Sequence, residues 1–228
     1  MRSRKDELIG KEFDTNKSGK CVIIDYTNAK NIVVKFHNPH YLVKCSLSSL
    51  VAGEVRNKLY PSFYNKGFVG VGVYSIKDRK VFNIWNAMLK RAYCKKHLKT
   101  HASYKDVEVC EDWLDFQNFA KWCYNEPYYD AVDSGEKSYC LDKDILVKGN
   151  KIYSPDSCCF VPQDVNKLLV SRDNLRGEHP IGVCYLKPNK KFQAAINYHG
   201  KSKYLGLYNK PEEAFQAYKF AKESHIKF

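Results

Sequence analysis

The chain has 228 residues, 44% of them hydrophobic, and a formal net charge of +13. That apolar content excludes a globally disordered chain, and no apolar run reaches the roughly eighteen residues that cross a bilayer. A cation surplus on this scale points to a polyanionic partner, nucleic acid or an acidic membrane.

Residues 1–70 hold 12 basic and 6 acidic side chains, residues 71–172 hold 16 and 14, and residues 173–228 hold 10 and 5. The two ends are therefore the basic parts, and the middle holds most of the carboxylates. This is the distribution expected if the flanks meet phosphates and the centre holds a metal. The opening Met1-Arg2-Ser3-Arg4-Lys5 is charged and is followed by no apolar stretch. No secretion signal is expected there. Nine cysteines without a Cys-x-x-Cys pair read as reduced thiols of a cytoplasmic protein. Adjacent Cys158 and Cys159 are poorly placed to bridge each other. Folding can gather Cys94, His97, Cys110, Cys123 and Cys140, but their spacing lends zinc no support. They are expected as small buried hydrophobes, and zinc is not expected.

In chain order, the first elements are β-rich. Cys21–Tyr26, Asn31–Phe36 and Tyr41–Cys45 are dominated by β-branched and aromatic types, and Thr27-Asn28-Ala29-Lys30 makes a turn. They predict a small N-terminal barrel or meander. It has no catalytic motif, and its basic balance suits either phosphate contact or a purely structural role. Residues 58–80, rich in Gly, Tyr and Pro, read as a linker with some extended structure. Over residues 81–97, Phe82, Trp85, Met88 and Leu89 share one helical face. Trp113, Phe116, Phe119 and Trp122 recur every three residues and predict a second helix with a core-facing aromatic stripe. Ser138–Asp142 and Cys158–Val161 read as extended runs joined by a turn over residues 147–155. A short helix is expected over residues 163–170, and a polar linker over residues 171–180.

Residues 181–228 form the clearest unit. Strands are expected over 181–187, 191–198 and 201–208, then a helix starting at Pro211 with Glu212 and Glu213 in its first turn. Alternation places Phe192, Ala194, Ile196 and Tyr198 toward that helix. Gln193, Ala195, Asn197 and His199 then face outward, ringed by Lys187, Lys190, Lys201 and Lys203. Gln and Asn reach adenine edges, and Lys reaches phosphate or guanine.

The segments Ile181-Gly182-Val183, Lys191–Ile196, Gly200–Gly206 and Pro211–Tyr218 resemble the plant APETALA/ethylene-response-factor DNA-binding domain. The resemblance covers about fifty residues. It implies a sheet lying in the major groove of double-stranded DNA, backed by the helix, with Lys187, Lys190, Lys191, Gln193, Asn197, His199, Lys201, Lys203 and Tyr204 as contacts. Where that family carries arginines, this chain has Ile181, Cys184 and Asn197, so weak guanine reading is expected.

A helical lead-in with Trp85, Met88 and Arg91, then Val109-Cys110, Trp113, Phe116 and Phe119, precedes Leu141-Asp142-Lys143-Asp144, Gly149-Asn150 and Tyr153–Cys158. Together these resemble a phage HNH-like, homing-type endonuclease family over about ninety residues. The resemblance implies a ββα-metal core in which one divalent ion, Mg²⁺ or Mn²⁺, is held by Asp142 and by Asn166 of the short helix. Lys143 stands where the family has its general-base histidine. A lysine is ordinarily protonated at neutral pH and makes a poor base, though it can steady a phosphate. Asp144 is the substitute base. Ser157 stands at the bracing asparagine, with Asn150 as a substitute brace.

The expected fold class is α+β in three segments. A small N-terminal β-barrel or meander occupies residues 1–70. A central ββα-metal (HNH-like) core with preceding helices occupies residues 71–172. A C-terminal three-stranded antiparallel sheet backed by one helix occupies residues 173–228. The expected activity is metal-dependent hydrolysis of double-stranded DNA by a phage-type protein, without membrane or small-molecule cofactor. The alternative is a catalytically degenerate DNA-binding or counter-defence protein of a phage, and a protein partner stays open.

Overall fold

The computed structural model describes residues 4–127, 129, 139–169, 177–198 and 200–226. Contacts gather the chain into two compact units, Met1–Glu126 with Leu146–Cys158, and Pro127–Ile145 with Cys159–Phe228. Neither coincides with one of the three segments 1–70, 71–172 and 173–228.

The first unit begins with α1 (Arg4–Leu8), β1 (Glu12–Thr15), β2 (Gly19–Asn28), β3 (Asn31–His37), β4 (His40–Cys45) and α2 (Leu47–Val51). The four strands pair antiparallel in chain order, a meander with β1 and β4 at its edges. Period-2 alternation explains it: Cys21 and Ile23 on β2, and Ile32, Val34 and Phe36 on β3, are buried together. Leu50 from α2 and Val55 complete that core. Ser46 caps α2 by accepting from the Ser49 N–H at 3.1 Å.

Burial pushes the Cys21 thiol up to about 11, from 9.0, and Cys45 and Asp14 add to the shift. The folded thiol thus stays neutral at pH values where the unfolded one ionises. The unfolded state then binds fewer protons, so stability falls as pH rises. The thermal midpoint of the first unit is expected to drop between pH 9 and pH 11, and a Cys21→Val variant is expected to lose part of that drop. Equal slopes in the two proteins would contradict this account.

Residues 58–80, expected as a linker, instead pack onto helices. The helices are α3 (Arg79–Tyr93), α4 (Lys95–Thr100), α5 (Glu111–Leu114) and α6 (Phe116–Asn125), with β5 (Glu108–Val109) before α5. The Gln117 amide donates to the carbonyls of Val69 and Tyr74, each at 3.0 Å, and its oxygen accepts from the Tyr74 N–H at 2.9 Å. Phe68 exchanges backbone bonds with Leu114 and Phe116. Glycine makes the approach feasible: at Gly70, where φ is +71°, an added Cβ would lie 1.9 Å from Asp115 Oδ1. The composition that suggests a flexible linker is here the composition of close packing.

Asp78 caps α3, accepting from the Lys80 and Val81 N–H groups. Val81, Trp85, Met88, Leu89 and Ala92 form its buried stripe. The helix expected through residue 97 breaks at Cys94, whose extended backbone separates α3 from α4. The aromatic stripe is split as well: Trp113 belongs to α5, and Asp115 starts α6 by accepting from the Gln117 N–H at 2.8 Å. Trp85, Trp113, Phe116 and Phe119 are all essentially inaccessible. The Trp85 indole donates to the Trp113 carbonyl at 2.7 Å, which satisfies its one polar atom.

In the second unit, β6 (Tyr139–Asp142) begins the described chain after residue 129. After Ile145 the chain joins the first unit, where β7 (Ile152–Tyr153) pairs parallel with β5. Residues 147–155 are thus more than a turn. The chain resumes in the second unit with β8 (Cys159–Pro162), antiparallel to β6, and α7 (Gln163–Leu169). Ser138 and residues 170–176 lie outside the described residues.

Next come β9 (Val183–Leu186), β10 (Lys191–Tyr198), β11 (Lys201–Tyr208) and α8 (Pro211–Ile226). The sheet order is β11-β10-β9, all antiparallel, with α8 packed against it. Ala194, Ile196, Ala214 and Tyr218 are buried between sheet and helix, as alternation along β10 predicts. The C-terminal three-stranded sheet with its helix is therefore as expected from sequence.

Candidate functional site

The sheet β9-β10-β11 has two chemically different faces, and strand register decides which residues share each. Directly paired residues of an antiparallel ladder project to the same side. The row Phe192, Ala194 and Ile196 faces α8. The opposite row is Lys191, Gln193, Ala195 and Asn197. Its partners are Leu186 and Cys184 on β9, and Leu207, Tyr204 and Ser202 on β11. Lys191, Asn197, Ser202 and Tyr204 are exposed, and Gln193 is half-buried.

A bulge produces this set. Ala194 pairs with Gly206 and Ala195 with Tyr204, leaving Leu205 as an extra residue on β11. One extra residue inverts side-chain parity. Tyr204 and Leu207, three apart, consequently share the face of Gln193.

The same register corrects one expectation. Lys201 pairs with Tyr198 and Lys203 with Ile196, so both leave the sheet on the helix side. They are exposed but do not join the Gln193–Asn197 row. Lys187 and Lys190 sit in the short connection before β10, where Lys187–Asn189 form a 3₁₀ turn and Lys190 is left-handed at φ 52°. Both are exposed, and among the described residues none of Lys187, Lys190, Lys191, Lys201 and Lys203 is ion-paired. His199 lies outside the described residues. Ser202, opposite Asn197, is the face residue that sequence reasoning missed; only the register identifies it.

The second candidate region is the β6–β8 ribbon with α7. Asp142 ends β6. Its Oδ1 accepts from the N–H of Asp144 at 2.7 Å and of Ile145 at 2.9 Å, which fixes the carboxylate against the turn it initiates. Asn166, half-buried on α7, donates from Nδ2 to Cys140 Sγ at 3.0 Å. Cys140 and Asp142 are two apart on β6 and so project to one face. The face that Asn166 covers is therefore the face of Asp142.

Lys143 is only 6% exposed, and its ammonium is paired with the Asp144 carboxylate. A lysine expected to steady a phosphate is instead buried against the neighbouring acid. Asp144, the substitute base, is the partner in that pair. Asn150 and Ser157 belong to the first unit. Asn150 is tied to its own turn: it donates to the Ile152 carbonyl at 2.6 Å and accepts from the Ile152 N–H at 3.2 Å. Ser157 is buried and donates to the same carbonyl at 2.8 Å. Both brace the loop around β7.

Oxygen from Asp142 and Asn166 is the donor type that Mg²⁺ and Mn²⁺ take. Mg²⁺ keeps several waters and needs only one or two carboxylates, so the donor chemistry of a carboxylate and an amide is of the kind such an ion takes. No group of three or more His, Cys, Asp or Glu able to hold a metal occurs among the described residues, and all nine cysteines are free thiols. No described helix is long and apolar enough to cross a membrane. No protein-family model, curated protein or solved structure matches the chain, so its functional reading rests on these two regions alone.

Proposed function

We propose that this chain is a double-stranded DNA-binding protein that reads a target through the outer face of β9-β10-β11, and that Asp142 and Asn166 support metal-dependent phosphodiester hydrolysis of the HNH kind. The observation that carries the reading is the two-faced sheet. Its outer row offers Lys191, Gln193, Asn197, Ser202 and Tyr204, while its inner row is sealed by α8.

The dimensions suit a duplex. Gln193 and Asn197 are four residues apart, about 13 Å along a strand, close to four base-pair steps of 3.4 Å. Strands β10 and β11 make an antiparallel ribbon, an element that enters a major groove about 12 Å wide. The glutamine and asparagine supply the paired donor and acceptor that adenine presents there. The unpaired lysines around them supply the phosphate contacts that set register.

Asp142 and Asn166 would hold a Mg²⁺ or Mn²⁺ ion, which when bound would supply charge neutralisation for phosphodiester hydrolysis. The chain's part is positional. The Asp144 and Ile145 N–H groups hold the Asp142 carboxylate in one orientation. Asn166 offers its amide from α7. A second reading, DNA binding without cleavage, is favoured by one observation: the place of the general base holds a buried, ion-paired lysine.

The test uses the full chain and a library of duplexes. Gln193→Ala with Asn197→Ala is expected to flatten sequence preference, costing about 1–3 kcal/mol per lost base contact on the preferred site, while non-specific binding persists. An unchanged preference would remove the sheet from the interface. Nicking of the bound duplex in Mg²⁺ or Mn²⁺, absent in chelator, supports the nuclease. Tight binding with intact DNA supports the second reading.

A further inference from the structure

The first unit carries a concentration of positive charge that the proposed reading face does not use. Residues 79–105 contain eight Lys or Arg and no Asp or Glu. The nearest acids in sequence, Asp78 and Asp106, bound the stretch, and Asp78 is occupied as the cap of α3. We propose that the last turn of α3 together with α4 forms a second DNA-docking surface, one that holds the phosphate backbone of the duplex without reading bases. The identity of the partner rests on the proposed function above; the surface itself does not.

Three stretches of chain converge on it. Lys90 and Arg91 come from the last turn of α3, Lys95, Lys96 and Lys99 from α4, and Lys151 from the loop before β7. Lys151 reaches the Ser103 carbonyl at 3.2 Å, just beyond α4. Lys90, Lys95, Lys96, Lys99 and Lys151 are exposed, and among the described residues none is ion-paired.

Helix stability does not explain this arrangement. Lys90 and Arg91 at the C-terminal end of α3 do suit the helix dipole. Lys95 and Lys96 oppose it, because they occupy the N-terminal turn of α4 with no acid there to compensate. Packing does not explain it either, since α4 buries no residue completely. The His97 imidazole is held below its usual value first by burial and then by His101, Lys90 and Arg91. His97 on α4 stacks at 4.1 Å with His101, just past the end of that helix, and α3 packs against α4. A cluster of like charges that costs free energy in the unbound protein is relieved when a polyanion docks.

Duplex phosphate is the occupant that charge complementarity selects. Each lysine that meets a phosphate releases condensed counterions and adds about 0.9 to the slope of log affinity against log salt. The experiment measures duplex binding by the full chain over a salt series. Three proteins are compared: wild type, a Lys95→Gln/Lys96→Gln/Lys99→Gln variant, and a control Lys17→Gln/Lys20→Gln/Lys30→Gln variant of equal charge loss. All six substituted side chains are exposed, and unchanged circular dichroism and thermal midpoint verify the fold. The α4 variant is expected to lose about 2–3 from the slope and at least tenfold in non-specific affinity, with sequence preference kept. The control is expected to change the slope by less than one.

Equal effects in the two variants, or no effect in the α4 variant, overturn the docking surface and leave the reading face standing. Loss of binding in the α4 variant with no effect of the Gln193 and Asn197 substitutions does the reverse. A wild type that ignores every duplex at low salt removes both. Preferential capture of single-stranded RNA by α4, with duplex binding unchanged, also overturns the proposal.

Discussion

Gly182→Ala is expected to unfold the second unit at a temperature more than about 10 °C below wild type, on a loss of roughly 2–4 kcal/mol. Gly182 precedes β9 with φ at +78°, a conformation an alanine adopts only under strain. A Cβ built there would lie 2.0 Å from Cδ2 of Tyr218, a ring only 5% exposed beneath the sheet. The ring cannot retreat, because it packs with Leu168 and Ile196 in the core of that unit. The Gly182 carbonyl also accepts from the Ala195 N–H at 2.9 Å, so a shift of this backbone disturbs β10 between Gln193 and Asn197. Stability and sequence preference should therefore fall together. The steric share is separable: in a Tyr218→Leu background the alanine should cost at least about 1 kcal/mol less, as a double-mutant cycle would report. Strict additivity would mean that only the backbone conformation matters.

The second large effect is at Asp142. If the proposed nuclease reading holds, Asp142→Asn and Asp142→Ala are both expected to lose metal-dependent nicking by on the order of 10²-fold or more, because both remove the carboxylate proposed to hold the ion. They should differ in stability. Asn keeps an oxygen that accepts from the Asp144 and Ile145 N–H groups, whereas Ala leaves both donors without that partner. By analogy with helix caps, the loss is about 0.5–2 kcal/mol for Ala and much less for Asn. Duplex affinity in chelator should be unchanged in the Asn variant. Retention of nicking in both variants would place the chemistry elsewhere, and a stable Ala variant would mean that the turn does not need its cap.

Much of the local structure was legible because local patterns encode it. The alternation of Cys21 and Ile23, and of Ile32, Val34 and Phe36, predicts β2 and β3 and their buried face. The 3.6-residue spacing of Trp85, Met88 and Leu89 predicts α3. Pro211 with Glu212 and Glu213 marks the start of α8. The candidate site was legible in part. Gln193 and Asn197 follow from alternation along one strand, and they do share the outer face.

What was missed depends on partners far away in sequence. Residues 58–80 look flexible by composition, yet Gln117 ties down the stretch around Val69 and Tyr74 from more than forty positions away. The parallel pairing of β5 with β7 joins residues 108–109 to 152–153, and no periodicity within either segment announces it.

By itself the sequence determined the net charge, the kinds of element and the apolar face of each, because these follow from residue type and from spacing within a few positions. Only the tertiary structure decided that Tyr204 joins the outer row while Lys201 and Lys203 do not. One bulged residue, Leu205, inverts parity along β11, and a bulge is fixed by the ladder it must fit, which no single strand encodes.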